Sequence, residues 1–289
     1  MTTIRRRANA KINVFLRVLG RRSDGFHDIE TLILPLELHD VVEAGPADTL
    51  EVEVHGARAA ELAGAGGESL ASTAARFLAD ACSAGHRHGA RISIEKHIPV
   101  AAGLGGGSAD AAAALLALRE LWSCEIDDDR LAAIAAEVGS DVPALLRGEP
   151  VFCSGRGDRV FRAHAQTTHW VVRPFPFTIR AADAYGWWDD DGAETGPDPG
   201  ALVAAVESGN DDLIGHALSN DLQAAAVRRH HQIGDAIDAF MAAGALGAMM
   251  SGSGPTVVAL ARHLGHADRL AEAVHGSFVT SGPPRTMTP

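Results

Sequence analysis

A mixed α/β fold class is predicted by three features of the 289-residue chain. Near the N-terminus Ile12, Val14, Leu16 and Val18 share one parity, and further on Ile92, Ile94 and Ile98 alternate with Ser93, Glu95 and His97. A two-residue period is that of a strand with one buried face. Residues 111–122 are alanine-rich and space Leu115, Leu118 and Trp122 three and four apart, as on one helix face. Between that strand and that helix lie four glycines in five positions, Gly103, Gly105, Gly106 and Gly107, with Leu104 among them. Their backbone reaches dihedrals closed to side chains and offers bare N–H groups at a helix N-terminus, a corner that attracts anions and above all phosphate.

The chain carries 25 Lys and Arg against 37 Asp and Glu, a formal net charge of −12. That balance argues against broad binding to nucleic acid or anionic membranes. A phosphorylated ligand would be held by local dipoles and a few placed cations. The length allows two cores or one large one. Cys82, Cys124 and Cys153 are odd in number and far apart, which suggests neither a disulfide framework nor a Cys-x-x-Cys metal site and suits a reducing cytoplasm. Arg5-Arg6-Arg7 is followed by no apolar run of signal-peptide length, and no stretch reaches the roughly 18 apolar residues of a membrane span. Among the histidines, His86-Arg87-His88 and His230-His231 lack His-x-x-x-His spacing and read as solvated surface.

Residues 4–19 read as one long strand with polar interruptions at Asn9, Lys11 and Asn13. A lysine in such a place is, by itself, edge protection or a solvent-facing stem. Residues 20–27 form a turn-rich tip and 29–38 resume a strand, which makes a hairpin. Strands continue over 40–54, residues 64–67 mark a loop, and 70–84 read as a helix whose apolar stripe holds Leu70, Ala74, Phe77, Leu78 and Ala81. The glycine corner also reads as a tight turn with Ser108 as N-cap. Asp127, Asp128 and Asp129 lead into a short helix at 131–138. In Gly139-Ser140-Asp141-Val142-Pro143, the local reading of Asp141 is a helix N-cap with Pro143 in the first turn. A glycine turn at 152–158 and a strand from 170 to 172 follow. Tyr185 reads equally as core or site, and Asp189-Asp190-Asp191 opens an acidic, turn-rich segment of solvated carboxylates. Asn220-Asp221-Leu222 opens a helix, and 233–243 is an amphipathic helix. Ser251-Gly252-Ser253-Gly254 turns into a strand at 257–260; a helix at 267–275, a strand at 278–279 and a disordered tail at 282–289 complete the chain.

Pro99-x-x-x-Gly103-Leu104-Gly105-Gly106-Gly107-Ser108-Ala109 has neither the Gly-Lys-Ser/Thr of a Walker A loop nor the third glycine of G-x-G-x-x-G. It closely resembles the phosphate loop of the GHMP kinases. The Gly-x-Asp-x-Pro at 139–143 resembles the segment that carries the acid of those enzymes, and the glycine turn at 251–254 resembles their last motif. The segments 10–16 and 21–27, with Thr31-Leu32, are similar to the opening of the GHMP branch that phosphorylates 4-diphosphocytidyl-2-C-methyl-D-erythritol. Galactokinases and mevalonate kinases lack its Asp-Gly-aromatic-His loop.

The resemblance implies an α+β, two-domain GHMP kinase fold. An N-terminal ribosomal-protein-S5-domain-2-like α/β domain would cover residues 1–160, and a C-terminal ferredoxin-like α+β domain residues 161–289. It implies transfer of the ATP γ-phosphoryl group to the 2-hydroxyl of that cytidine diphosphate sugar-alcohol, in the non-mevalonate route to isoprenoid precursors. The enzyme would be cytoplasmic, a monomer or weak homodimer, with no nucleic-acid or membrane partner. Pro99, Gly103, Leu104, Gly105, Gly106, Gly107, Ser108 and Ala109 would hold the ATP phosphates, with Ser251, Gly252, Ser253 and Gly254 approaching them. Mg²⁺ would bridge phosphate oxygens, with Ser108 as its contact. Asp141 would take the hydroxyl proton and Lys11 would stabilise the developing charge. Asn13, Phe26, His27 and Tyr185 would bind the substrate, the rings by stacking on cytosine and His27 by hydrogen bonding. Phe26 stands where tyrosine is usual, Ala144 and Leu145 replace a pair of aromatics, and Arg180 replaces a small hydroxyl residue. A GHMP kinase for homoserine or a sugar and a non-catalytic nucleotide-binding module are the alternatives. The Asp24-Gly25-Phe26-His27 loop argues against the first, and Lys11 together with Asp141 against the second.

Overall fold

The structure is a computed structural model that describes residues 3–64, 69–82, 89–100 and 102–284. The expectations for residues 65–67, for His86-Arg87-His88 and for residues 285–289 of the tail lie outside the described residues, while Gly282, expected in the disordered tail, is buried at the end of the last strand. The chain runs β1 (Ile4–Arg21), β2 (His27–Pro46), β3 (Leu50–His55), α1 (Leu70–Ala81), β4 (Ala90–Glu95), α2 (Gly106–Leu121), α3 (Asp128–Val138) and α4 (Val142–Arg147). It continues through β5 (Val151–Gly155), β6 (Arg159–Arg162), β7 (Thr168–Arg173), α5 (Ala181–Asp190), α6 (Gly200–Ser208), α7 (Asp211–Ala217) and β8 (Ser219–Asn220). The last elements are α8 (Gln223–Arg229), α9 (His231–Ala242), β9 (Gly247–Met250), β10 (Val257–Ala261), α10 (Leu264–Ala273) and β11 (Phe278–Gly282). The chain divides into two compact units, one of Met1–Ala10, Leu38–Val100 and Gly105–Gly148, the other of Lys11–Glu37, Ala101–Leu104 and Glu149–Pro289. Residue 160, the sequence-based boundary, falls inside the second unit.

In the first unit the end of β2 pairs antiparallel with β4, Val41 opposite Glu95, and β3 pairs parallel with β4, Val52 opposite Ile92. The alternation at Ile92 and Ile94 buries both, as a two-residue period requires. Helix α2 buries every residue from Ala109 to Leu115, and Ala117 and Leu118 beyond them, so no single apolar stripe marks it. It begins at Gly106, ahead of the alanine run that announces it, because glycine and serine carry no apolar signal. Ser108 therefore lies in the first turn, and the N-cap is Gly105 at φ +71°. Caps elsewhere follow the sequence: Ser69 accepts from the Ser72 N–H at 3.1 Å, and Asp127 from that of Arg130 at 2.7 Å.

In the second unit β7, β9, β10 and β11 form an antiparallel sheet in the order β11-β7-β10-β9. Numbered by sequence that is fourth, first, third, second, the ferredoxin-like arrangement. Its β10 is buried at every position, and Val171, Trp188, Phe240, Met250 and Leu270 belong to the same core. The start of β2 pairs with β5, Thr31 opposite Cys153, and β8 runs parallel to β1 at Phe15 and Leu16.

Cys82 and Cys124 form a disulfide, with Cα atoms 5.5 Å apart, against the expectation from cysteine number and spacing. Cys82 caps the C-terminus of α1, and Cys124 lies just past α2, so packing of the two helices brings together residues 42 apart in sequence. Thiol titration of the unfolded, unreduced protein is expected to find one thiol, leaving Cys153, out of three cysteines. Replacing Cys82 and Cys124 by serine is expected to lower the unfolding free energy by about 2–4 kcal/mol in denaturant titration.

Candidate active site

In the first unit the glycine corner ends as a bare helix start. Gly105 gives α2 no side-chain cap, and its first turn contains no acid, so the N–H groups of Gly106, Gly107 and Ser108 are neither capped by a side chain nor neutralised. Aligned peptide dipoles add to the positive potential there. A Cβ on Gly106 would sit 3.2 Å from Ile98 Cγ2 and 3.5 Å from Lys96 Nζ, so a side chain there would press on Ile98.

Lys96, unmarked by any sequence motif, is buried with Asp40 and Asp110. Its ammonium donates to Asp40 Oδ2 and, at 2.6 Å, to Asp110 Oδ2. Asp40 Oδ1 accepts the backbone N–H groups of His97 at 2.5 Å and Ile98 at 2.8 Å. Burial pushes Asp110 up to about 7, Lys96 opposes that rise and Asp40 adds to it. Burial alone would lower Lys96, but Asp110 and Asp40 more than reverse this and hold it above the usual lysine value. Asp110 bears the cost of the cluster: its Oδ1 is buried with no hydrogen-bond partner among the described residues.

Asp141 occupies the N-cap position of α4 but makes no capping bond with its side chain. The helix starts instead with Pro143 in its first turn and a Val142 N–H bond to the Gly139 carbonyl at 3.1 Å. Ala144 is buried and Leu145 is half-buried.

In the second unit Lys11 is 5% exposed, which rules out a solvent-facing stem. Its ammonium donates to Asn13 Oδ1 at 2.7 Å, while Asn13 Nδ2 donates to Thr31 Oγ1 at 2.8 Å. The Lys11 backbone N–H donates to the Leu104 carbonyl at 2.9 Å, and that of Asn13 to Ser251 Oγ at 3.0 Å. A side chain on Gly252, at φ +58°, would meet Asn13 Oδ1 at 2.8 Å and Lys11 Nζ at 3.4 Å. One on Gly103, at φ +77°, would meet the Gly254 carbonyl at 2.6 Å. Asn220 Nδ2 holds the carbonyls of Met250 and Gly252, at 2.7 and 2.8 Å. Lys11, Asn13, Gly103, Leu104 and the turn at 251–254 therefore pack together, with Ser253 half-buried at its tip.

The hairpin tip is fixed by Arg22, which binds Asp24 and Asp28, and by the Phe26 N–H on Asp24 Oδ1 at 3.2 Å. Hydrogen bonding from Arg22 holds the Asp24 carboxyl below its usual range. Phe26 presents a half-exposed ring with the Arg156 guanidinium 4.9 Å from its centroid. His27 is buried against α5: Tyr185 stacks on it at 4.9 Å with 18° between planes. Asp189 Oδ1 lies 3.0 Å from His27 Nε2. The acidic run is thus not loose: Asp189 and Asp190 are helical, and Asp191 is clamped by Arg228 and Arg229. Arg180 pairs with Asp183 in the first turn of α5, and His230 stacks on Phe177 at 4.7 Å. No group of three or more His, Cys, Asp or Glu among the described residues forms a metal cage, and none of their helices is long and apolar enough to cross a membrane.

The family described as GHMP kinases N terminal domain matches residues 69–149, and GHMP kinases C terminal matches residues 202–280. The 4-diphosphocytidyl-2-C-methyl-D-erythritol kinase of Clavibacter michiganensis subsp. michiganensis is 38% identical, over 95% of this chain and 91% of its own. That of Streptomyces avermitilis is 40% identical, over 94% of this chain and 92% of its own. A crystal structure of 4-(cytidine 5'-diphospho)-2C-methyl-D-erythritol kinase superposes with a TM-score of 0.80 at 32% identity, covering 97% of this chain and 100% of the other. A homoserine kinase from Cytophaga hutchinsonii, TM-score 0.71 at 22% identity over 98% of this chain and 95% of its own, shares the fold.

Lys96→Met would leave two carboxylates buried without their cation and is expected to cost about 3–5 kcal/mol of stability by denaturant titration. Gly103→Ala forces a side chain against the Gly254 carbonyl at a left-handed φ. It is expected to lower the melting temperature in a thermal scan.

Proposed function

This chain belongs to the GHMP kinases and, within them, to the 4-diphosphocytidyl-2-C-methyl-D-erythritol kinases, and from that premise we propose how its residues divide the work. The enzyme phosphorylates 4-diphosphocytidyl-2-C-methyl-D-erythritol with ATP, a step toward isoprenoid precursors by the non-mevalonate route. We assign the 2-hydroxyl as acceptor. Its oxygen forms the new bond to the γ-phosphorus, the bond from that phosphorus to the β,γ-bridging oxygen breaks, and ADP leaves. The hydroxyl proton passes to Asp141. Such transfer asks the protein for positioning and charge stabilisation more than covalent chemistry.

The observation that supports the kinase reading is the start of α2, uncapped, free of acid in its first turn and beside Ile98, where phosphate oxygens would meet main-chain N–H groups. Gly105 to Ser108 would bind the phosphates there, and the turn at 251–254 would bind them through its backbone. Mg²⁺, held by phosphate oxygens and the Ser108 hydroxyl, would neutralise charge on the nucleotide. Lys11, its ammonium oriented by Asn13, would stabilise charge that grows during transfer. Asp141, the acid of the Gly-x-Asp-x-Pro segment at the start of α4, would accept the hydroxyl proton. Phe26, His27 and Tyr185 would take the cytosine ring. An enzyme that spends ATP works where ATP is kept, and the cytoplasm is the compartment we assign to it.

A coupled ADP-release assay with the cytidine diphosphate substrate beside homoserine, galactose and mevalonate is expected to give turnover with the first alone; turnover with another alcohol in its place would overturn the assignment. Asp141→Ala should lower kcat by about 10² to 10⁴ with the affinity for ATP kept. His27→Ala should raise the KM for the cytidine substrate and leave that for ATP nearly unchanged.

A further inference from the structure

His27 meets α5 on two sides. Tyr185 and Asp189, four residues apart and so on one helix face, cover its ring face and its Nε2 edge respectively. Trp188 closes another side edge-on, at 6.1 Å and 86°. The second oxygen of Asp189 faces a cation, the Arg21 guanidinium at 3.8 Å. With the Asp189 carboxylate as acceptor, the 3.0 Å contact places the hydrogen on Nε2. In a neutral imidazole the other nitrogen, Nδ1, is then a lone-pair acceptor.

We propose that Asp189 is a positioning residue for base selection: by holding the Nε2–H of His27 it keeps Nδ1 as an acceptor for the 4-amino group of cytosine. This rests on the reading of the chain as a kinase of a cytidine diphosphate-linked alcohol. Uracil carries a carbonyl at position 4, which also accepts, so the uridine analogue would leave Nδ1 facing a second lone pair. A site that demands a donor rejects the analogue without one more strongly than apolar packing does. The role differs from plain ring packing, since Tyr185 and Trp188 would hold the imidazole in place in either tautomer.

Asp189→Asn keeps the shape of the side chain but can donate to Nε2 as well as accept from it, which frees the opposite tautomer. The ratio of kcat/KM for the cytidine substrate to that for its uridine analogue is expected to fall roughly tenfold or more, with the KM for ATP changed by less than about twofold. In the wild type, ¹⁵N histidine spectra near neutral pH, assigned with His27→Ala, should show a protonated Nε2 and an unprotonated Nδ1. The proposal is overturned if Asp189→Asn lowers both substrates by one factor and keeps the ratio, or if Nδ1 carries the proton in the wild type. Should the wild type phosphorylate neither nucleotide, the functional reading fails and the base-selecting role with it. Should it phosphorylate the cytidine substrate while the variant keeps its selectivity, Asp189 alone loses its role.

Discussion

Lys96, Asp40 and Asp110 put three ionisable groups inside an alanine-rich core, where a charge is tolerated only when it is paired and hydrogen-bonded. The cluster has a mechanical result. Asp40 grips the backbone at His97 and Ile98, just before the glycine corner, and Asp110 belongs to the second turn of α2, just after it. One ammonium thus ties the chain entering the corner to the chain leaving it. Glycine alone would leave such a corner loose, since it has the most conformational freedom to lose. The buried ion cluster gives the corner a fixed geometry, and the glycines keep its N–H groups uncovered.

The second unit solves a similar problem without a charge cluster. Its turn at 251–254 is read by side-chain amides and hydroxyls: Asn220 binds two of its carbonyls, and Ser251 accepts the N–H of Asn13. Gly252 and Gly103 leave room for close neighbours, Asn13 and Lys11 for the one and the Gly254 carbonyl for the other. Asn13 in turn is held by Thr31, so the orientation of the Lys11 ammonium depends on a chain of buried hydrogen bonds running back to β2.

Much of this was legible in the sequence where the signal is local. The alternation in β1 and β4, the amphipathic pattern of α9 and the acid before α3 each reflect the element's own residues, and each element is found near its expected span. The start of α2 escaped because Gly106, Gly107 and Ser108 have no apolar face to count. The glycine motifs, Lys11, Asp141 and the Asp-Gly-Phe-His tip stood out through family resemblance rather than periodicity. Pairings across long stretches left no trace: Asp40 lies 56 residues from Lys96, Asp189 lies 162 from His27, and Cys82 lies 42 from Cys124. A single acid is silent about its partner until the chain folds. That is why Asp189 and Asp191 looked like solvated loop charges, although one is bound to a histidine and the other to two arginines.

The ties within the hairpin tip carry a thermodynamic consequence. Arg22, Asp24, Asp28 and the Phe26 amide hold one another, so the segment surrenders its freedom when the chain folds, before any nucleoside arrives. A flat ring docked against Phe26, as proposed, would then immobilise few additional torsions, and its stacking enthalpy would not be offset by the ordering of a floppy loop. Under the substrate-binding role proposed for Phe26, the tip would act as a prepared mould rather than as a segment that coalesces around its guest.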